Sequence, residues 1–171
     1  MRKNNVMLRK INLDDTENII KWKNSPEVKK NFCIQEDLTY ETHFNWFTNK
    51  IKTGEVEQFI IIDRTTNTPV GSTYLRDIDN KNNKAEFGIF IGEGSARNKG
   101  IGTDATILTM KYGFEKLGLN KIFLRVFSNN IGAIKAYEKA GFEYEGTARK
   151  DICLPDGSYQ DMVFMSKLKE N

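Results

Sequence analysis

The spacing of apolar residues changes along the chain, from a helical period to an alternating one and back. After a weakly alternating strand at 6–11, "VMLRKI", the N-terminal part predicts three helices: "LDDTENIIKWK" at 13–23, "SPEVKK" at 25–30 and "TYETHFNWFTNKIKTG" at 39–54. Asp14 and Asp15 suit the positive end of the first helix. In the third, Tyr40, Phe44 and Phe47 recur at spacings of four and three, which predicts an amphipathic helix.

The middle of the chain has strand patterns, and the last third alternates helix with strand. The runs "QFIIID", "VGSTYLRDI" and "KAEFGIFI" are separated by turn-forming residues and predict a three-stranded antiparallel meander. A helix at 103–117, the strand "KIFLRVF", the helix "IGAIKAYEKA" and a hairpin closed by "PDG" follow. This order predicts one α/β (α+β) domain over 1–171, with a mixed, mostly antiparallel sheet of about seven strands flanked by helices.

Composition narrows the class of protein. The chain has 171 residues, 39% hydrophobic and 29% charged, with no apolar run long enough for a bilayer span and no apolar stretch of a secretory signal after "MRKNN". We therefore expect a soluble cytoplasmic protein with no membrane partner. The net charge of +3 comes from interspersed charges and gives no support to nucleic-acid binding. Cys33, Cys153 and the single histidine, His43, are too few for a disulfide framework or a metal site.

The stretch "ARNKGIGTDA" at 96–105 precedes the long predicted helix and carries the pattern of an anion site. Glycines at a helix entry let an anion approach unpaired backbone amides, and Arg97 and Lys99 add positive charge. The stretch lacks the Gly-Lys-Ser/Thr triplet of a Walker A loop. It lies about eight residues after its strand, too far for a dinucleotide-binding turn. A plain turn at Gly100 and Gly102 is the other interpretation.

Two motifs, read together, resemble those of one enzyme family. Arg97-x-x-Gly100-x-Gly102 is similar to the acetyl-CoA pyrophosphate loop of the GCN5-related N-acetyltransferases (GNAT). About thirty residues later, "NNIGAIKAYEKAGF" resembles the family's Asn-x-x-Ala-Ile-x-x-Tyr run that ends in Gly-Phe. With "AEFGIFI" as the preceding strand, the resemblance covers residues 84–168. It implies an acetyl-CoA-dependent N-acetyltransferase without metal, acting by direct attack of an amine, in a fold whose strands splay apart to admit pantetheine.

The resemblance also implies which residues hold the donor and which do the chemistry. The residues that it assigns to acetyl-CoA are Ile89, Ile91, Arg97, Asn98, Lys99, Gly100, Ile101, Gly102, Thr103 and Asn130. Tyr137 stands where the family has a general acid for the thiolate, with a core tyrosine as the alternative. Glu86 is the candidate base, with a half-exposed strand glutamate as the alternative. Asn130 also suits an ordinary helix cap.

The acceptor is less constrained than the donor. "KWKNSPEVKKNF" and "LTYETHFNWF" are similar to enzymes that N-acetylate a nucleotide-linked 4-amino sugar in pseudaminic acid synthesis. There Trp22 could stack on a base, with Lys23 and Asn24 beside it. A basic helix with a core tryptophan is the alternative.

Other acceptors and a non-catalytic function also stay open. Spermidine acetyltransferases are similar as well, and Glu36, Asp37 and Glu41 could attract a cationic acceptor. Enzymes that acetylate protein amino termini share the layout but usually lack a tyrosine at the place of Tyr137. A domain that senses acyl-CoA without catalysis is the remaining reading. Because members of the family often dimerise, the resemblance implies a possible homodimer. We expect His43 to be a packed or exposed helical residue.

Overall fold

A computed structural model describes residues 5–170, so residues 1–4 of the N-terminal segment considered for a signal, and residue 171 of the predicted domain, lie outside it. The helices are α1 (Thr16–Asn24), α2 (Pro26–Lys29), α3 (Tyr40–Trp46), α4 (Ile101–Glu115) and α5 (Ile131–Ala140). The strands are β1 (Val6–Lys10), β2 (Glu57–Asp63), β3 (Thr68–Asp79), β4 (Lys84–Ile91), β5 (Lys121–Phe127), β6 (Glu143–Cys153) and β7 (Tyr159–Leu168).

The described strands form one seven-stranded sheet in the order β1-β2-β3-β4-β5-β7-β6. β4 and β5 are its parallel pair, and the other neighbouring pairs are antiparallel. The predicted mixed, mostly antiparallel sheet and the β2–β3–β4 meander are therefore confirmed. The parallel pair follows from the connection between the two strands, because α4 returns the chain to the same end of the sheet before β5 begins.

Alternate residues of the central strands are buried against helices on the two faces of the sheet. On the α4 and α5 face, the core includes Leu75, Phe87, Met110, Ile122 and Leu124. On the α1 to α3 face, it includes Ile19, Trp22, Phe47, Ile60 and Phe90. Each fully buried side chain of this size contributes about 1.5–3 kcal/mol to folding, so both faces anchor the strands between them.

The predicted helix at 39–54 is not one continuous α-helix. Thr39 caps α3, but after Trp46 the chain continues as a π-helical turn over Phe47–Ile51, in which each backbone hydrogen bond spans five residues instead of four. Inside α3, His43 is 2% exposed, and its Nδ1 lies 3.1 Å from Thr16 Oγ1. The histidine is therefore a packed core residue, one of the two expected alternatives.

Three further observations on residues 5–170 concern membrane-spanning helices, metal ligands and cysteines. No helix within 5–170 is both long and apolar enough to cross a membrane. Over the same residues, no group of three or more His, Cys, Asp or Glu side chains is arranged to hold a metal ion. Cys33 and Cys153 are free and exposed.

Candidate acetyl-CoA site

A gap opens between β4 and β5 partway along their length. The two strands pair only from Lys84 with Lys121 to Glu86 with Phe123. β4 nevertheless continues to Ile91, and β5 continues to Phe127. The splay implied by the sequence resemblance is therefore present, and the edge of β4 that faces β5 has no strand partner beyond Glu86.

Gly88 lies on β4 just after the splay begins, and its lack of a side chain has a specific cause. A Cβ atom built at this position would lie 2.3 Å from Cζ of Tyr74, which is opposite Gly88 on β3. The Tyr74 ring therefore crosses the backbone of β4 here. The mid-strand glycine therefore marks a close approach of a neighbouring side chain to the backbone.

A cavity of about 1050 Å³ opens at the splay. Its walls are the end of β4, the loop before α4, the first turns of α4, the exposed side of α5, and α2 with the residues after it. This volume is at the upper end of the range for small-molecule and cofactor sites, about 300–1,000 Å³, and suits an elongated ligand.

The start of α4 presents unpaired backbone amides to this cavity. Gly100 is the N-cap, with a left-handed φ of 79° and no side-chain cap. The first backbone bond of the helix is Asp104 N to Gly100 O, so the amides of Ile101, Gly102 and Thr103 have no partner within the helix. Such amides bind anions, and Gly100, Gly102 and Thr103 line the cavity. Ile101 is 2% exposed, so only its backbone can contribute.

The basic residues of the loop differ in what they contact. Arg97 donates from Nε to Ile91 O at 3.2 Å and from Nη2 to Gly92 O at 3.3 Å, so it fastens the loop to the end of β4. Asn98, which has a left-handed φ of 60°, also lines the cavity. Lys99 is exposed and does not line it. Arg97 and Asn98 are thus better placed for the donor than Lys99.

Asn130 serves as a helix cap, and it also lies on the cavity. Its side-chain oxygen accepts from Ala133 N at 3.3 Å, and its Nδ2 donates to Asn31 Oδ1 at 3.2 Å. The second bond joins α5 to the residues after α2 across the cavity. Ile89 and Ile91 line the opposite wall at the end of β4.

Tyr137, on α5, lines the cavity with its ring held by two phenylalanines. The ring meets Phe87 edge-on at 6.0 Å between centroids and Phe142 at 5.9 Å. Burial, with a smaller contribution from Tyr74, raises the pKa of the Tyr137 phenol. The ring therefore belongs to the core and the side chain also borders the cavity, while the role of general acid stays a prediction.

Comparison with known proteins identifies the family. Residues 5–143 match the model of the acetyltransferase (GNAT) domain. The chain belongs to the GNAT acetyltransferase family. An uncharacterized N-acetyltransferase, p20 of Bacillus licheniformis, is 30% identical over 165 residues, which are 95% of this chain and 92% of the relative. An uncharacterized protein of Methanocaldococcus jannaschii is 32% identical over 85% of this chain, but the match spans only 30% of that longer protein.

Two spermidine acetyltransferases are also similar. The spermidine N(1)-acetyltransferase of Escherichia coli K12 is 36% identical over 95 residues, 56% of this chain and 50% of the relative. The structure of the Vibrio cholerae spermidine N-acetyltransferase with CoA and spermine superposes with a TM-score of 0.89 at 24% identity, covering 97% of this chain and 96% of that one. At this identity, the structural match shows a shared fold. The family assignment rests on the domain model, and acetyl-CoA is the donor that GNAT acetyltransferases use.

Glu86 lies at the splay of this GNAT chain, but it does not have the surroundings of a free base. It is 5% exposed, and its carboxylate accepts hydrogen bonds from Arg76 on β3 and Arg125 on β5. Burial alone would raise the pKa of Glu86, but the hydrogen bonds and the positive charges of Arg125 and Arg76 together outweigh burial and lower the pKa. The alternative of a half-exposed strand glutamate is wrong, and a lowered pKa argues against a base.

The predicted stacking of Trp22 on an acceptor base is wrong for this structure. The ring is 1% exposed, a Cβ at Gly92 would strike it at 2.0 Å, and its Nε1 donates to Glu93 Oε1 at 2.7 Å. The side-chain amide of Asn24 is already hydrogen-bonded within the protein, because it donates to Leu38 O and accepts from Leu38 N. The alternative, a core tryptophan, is the one that the structure shows.

Lys23 and the predicted acidic residues lie on the same side of the sheet as Glu86. The Lys23 ammonium lies 4.5 Å above the centre of the Phe32 ring, and burial, with the charge of Arg76, lowers the pKa of Lys23. Asp37 forms an ion pair with Lys29. Glu36 and Glu41 are exposed and do not line the cavity.

Some site residues had no signal in the sequence motifs. They are Asn31, Tyr74, Arg76, Thr106 and Arg125. Arg76 and Arg125 occupy ordinary strand positions in the sequence. Only the strand register, which places Arg76 of β3 and Arg125 of β5 beside Glu86 of β4, would have identified them as site residues.

Proposed function

We propose that this GNAT acetyltransferase modifies the primary amine of a small molecule, and that a polyamine is the acceptor class. The fold and the donor site support the transfer. The similarity to spermidine acetyltransferases in sequence and in fold supports the polyamine over the nucleotide-linked amino sugar. The observation that carries the reaction class is the β4–β5 splay, which opens beside the unpaired amides of α4.

The chemical steps follow from the position of these groups. The backbone amides at the start of α4 would hold the pyrophosphate of acetyl-CoA, and the unpaired edge of β4 would hold the arm that carries the thioester. The amine nitrogen attacks the thioester carbonyl carbon, the C–S bond breaks, and the thiolate leaves as the amide forms. Tyr137 gives the thiolate a proton from a phenol that stays protonated at neutral pH, and the proton that the attacking nitrogen loses as the amide forms restores the phenol.

The acceptor must also lose a proton, and the structure offers no free carboxylate for that at Glu86. An alkyl amine with a pKa near 10.4 is unprotonated in a fraction of roughly 10⁻³ at neutral pH. That fraction rises about tenfold per pH unit, and water or bulk base can accept the proton. Turnover should therefore rise with pH from 6 to 9.

A second candidate class, an amine that also carries an anionic group, is favoured by the charges near Glu86. Arg76, Arg125 and Lys23 bring three positive charges to a region where Glu86 and Asp77, which lies 3.7 Å from Arg76, supply two negative charges. A nucleotide-linked amino sugar has phosphates that could meet this excess. A polyamine would instead depend on carboxylates such as Glu27, which lines the cavity.

Coenzyme A release with matched acceptors separates the two classes. 1,5-Diaminopentane and 5-aminopentanoate present the same alkyl amine and differ in the charge of the far group. The polyamine proposal expects a kcat/KM at least tenfold higher for the diamine, and highest for spermidine. The opposite order would favour the anionic class, which a nucleotide-linked 4-amino sugar then tests directly. No turnover with any amine, with acetyl-CoA binding shown separately, would favour the acyl-CoA sensor.

A further inference from the structure

We infer that Glu86 is the ionic tie that fixes the point at which β4 and β5 separate. It is thus a positioning residue and not the base of the reaction. The part that it positions is the gap between β4 and β5 beyond Glu86, here called the acetyl-CoA slot. This inference rests on the proposed function only in taking that slot to be the donor site. It holds for either class of acceptor.

The tie lies at the last rung of the parallel pair. Glu86 is opposite Arg76 on β3 and opposite Phe123 on β5, and no backbone pairing joins β4 to β5 after it. Arg76 Nη2 lies 3.2 Å from Glu86 Oε1, and Arg125 Nε lies 3.0 Å from the same oxygen. One buried carboxylate thus links three neighbouring strands where the backbone ladder ends.

Its surroundings make this carboxylate unsuited to accept a proton. Arg76 Nε and Arg125 Nη2 donate to Oε2 at 3.3 and 3.4 Å, so both oxygens are engaged by guanidinium groups. A general base needs a lone pair directed at the substrate and a pKa near the working pH. Glu86 has neither, and it is not among the residues that line the cavity.

The consequence of removing the tie can be derived from the charges. Without the carboxylate, Arg76 keeps only its longer ion pair with the exposed Asp77, at 3.7 Å, and Arg125 loses its ion pair with Glu86. The two guanidinium groups then repel each other across β4, and β5 is pushed away from β4 at the mouth of the splay. Without Arg125, the link between β4 and β5 is lost, while Glu86 keeps Arg76. Both changes should alter the width of the slot beside Ile89 and Ile91.

The test compares Glu86→Gln, Arg125→Gln and the double variant by calorimetric titration with CoA. The single substitutions change the local charge in opposite directions, by +1 and −1. A positioning tie nevertheless predicts that each weakens CoA binding, by about tenfold, because a displacement of about 1 Å is costly in a preorganised site. The double variant should weaken binding by much less than the product of the two factors, since both remove the same link.

Asp15→Asn is the matched control. Asp15 is also 5% exposed and also accepts two hydrogen bonds from an arginine, Arg9, but it lies far along the sheet, next to β1. Its variant should lose stability and keep CoA affinity. A thermal melt of each variant establishes that the protein measured is folded. If Glu86→Gln does not fold, Arg125→Gln alone decides by the same titration.

Two results would overturn the inference. One is CoA affinity unchanged in both single variants, or changed in opposite directions as net charge alone would dictate. The other is a Glu86→Gln variant with full CoA affinity whose turnover falls at least 100-fold and loses its pH dependence, which is the behaviour of a base. Failure of the wild-type protein to bind CoA would be distinct, because it would refute the proposed function itself and this inference with it.

Discussion

Replacing Tyr137 by phenylalanine removes one hydroxyl from the cavity and leaves the packing of the ring intact. The contacts with Phe87 and Phe142 are made by the ring, edge-on or tilted at about 6 Å between centroids, and phenylalanine preserves them. The change should therefore affect the chemical step and spare the fold.

The size of the effect follows from what the hydroxyl does. If Tyr137 protonates the leaving thiolate, its loss removes a general acid, which is worth about 10²–10⁴ in rate. At 1.36 kcal/mol per tenfold, that is a barrier increase of about 3–5 kcal/mol. Binding of acetyl-CoA should change less than threefold, because the other cavity walls are untouched.

The assay is coenzyme A release under saturating acetyl-CoA, with affinity measured separately by titration. Tyr112→Phe is the matched control, since Tyr112 is half-buried on α4 and its hydroxyl contacts Lys10 and Glu57 away from the cavity. We expect its kcat to stay within twofold of wild type. An unchanged rate in Tyr137→Phe, or an equal loss in both variants, would refute the assignment of Tyr137 as the acid.

Two further variants test the donor loop and the buried histidine. Gly100→Ala should cost about 1–2 kcal/mol of stability, because φ is 79° there, and should also weaken CoA binding. Gly118→Ala, at φ 67°, carries the same strain and should leave CoA binding unchanged, so equal binding in both would contradict the anion site. Burial, and next the charge of Lys23, lower the pKa of His43 in the folded protein. Below pH 6.5, His43 is therefore protonated in the unfolded chain to a greater extent than in the folded protein. Stability should fall by up to about 1.4 kcal/mol per unit as pH drops below 6.5, and His43→Leu should flatten that part of the melting-temperature profile.

The sequence predicted the order of the helices and strands and the donor loop, because both depend on residue spacing and on motifs within short segments. The strand expected at 84–91 and the helix expected at 131–140 have the same bounds in the structure as β4 and α5. The helix expected from 103 begins at Ile101 instead, because Gly100 in its left-handed conformation already starts the turn. The π-helical turn after Trp46 was missed, since the apolar spacing of Phe47 and Ile51 is equally compatible with an α-helix.

The roles of Trp22 and Glu86 were harder to predict, because they depend on partners far along the chain. Trp22 is buried by Gly92 and bonded to Glu93, about seventy residues away. Glu86 forms ion pairs with one arginine on each of the two neighbouring strands. Alternation shows that a residue faces one side of a sheet, but the register that decides its neighbour is set by the whole fold.

This difference explains why the donor of the reaction is better defined than its acceptor. The candidate anion site consists of one loop and one helix start, from Arg97 to Thr103. Because these residues are contiguous in sequence, the same short motif can recur in related proteins. The proposed surroundings of the acceptor combine Lys23, Arg76 and Arg125 from three separate elements, so a relative that shares half of the chain need not share their charges. For this reason a change of charge on the substrate, with the amine kept constant, is a sharper probe of the acceptor than further similarity between sequences.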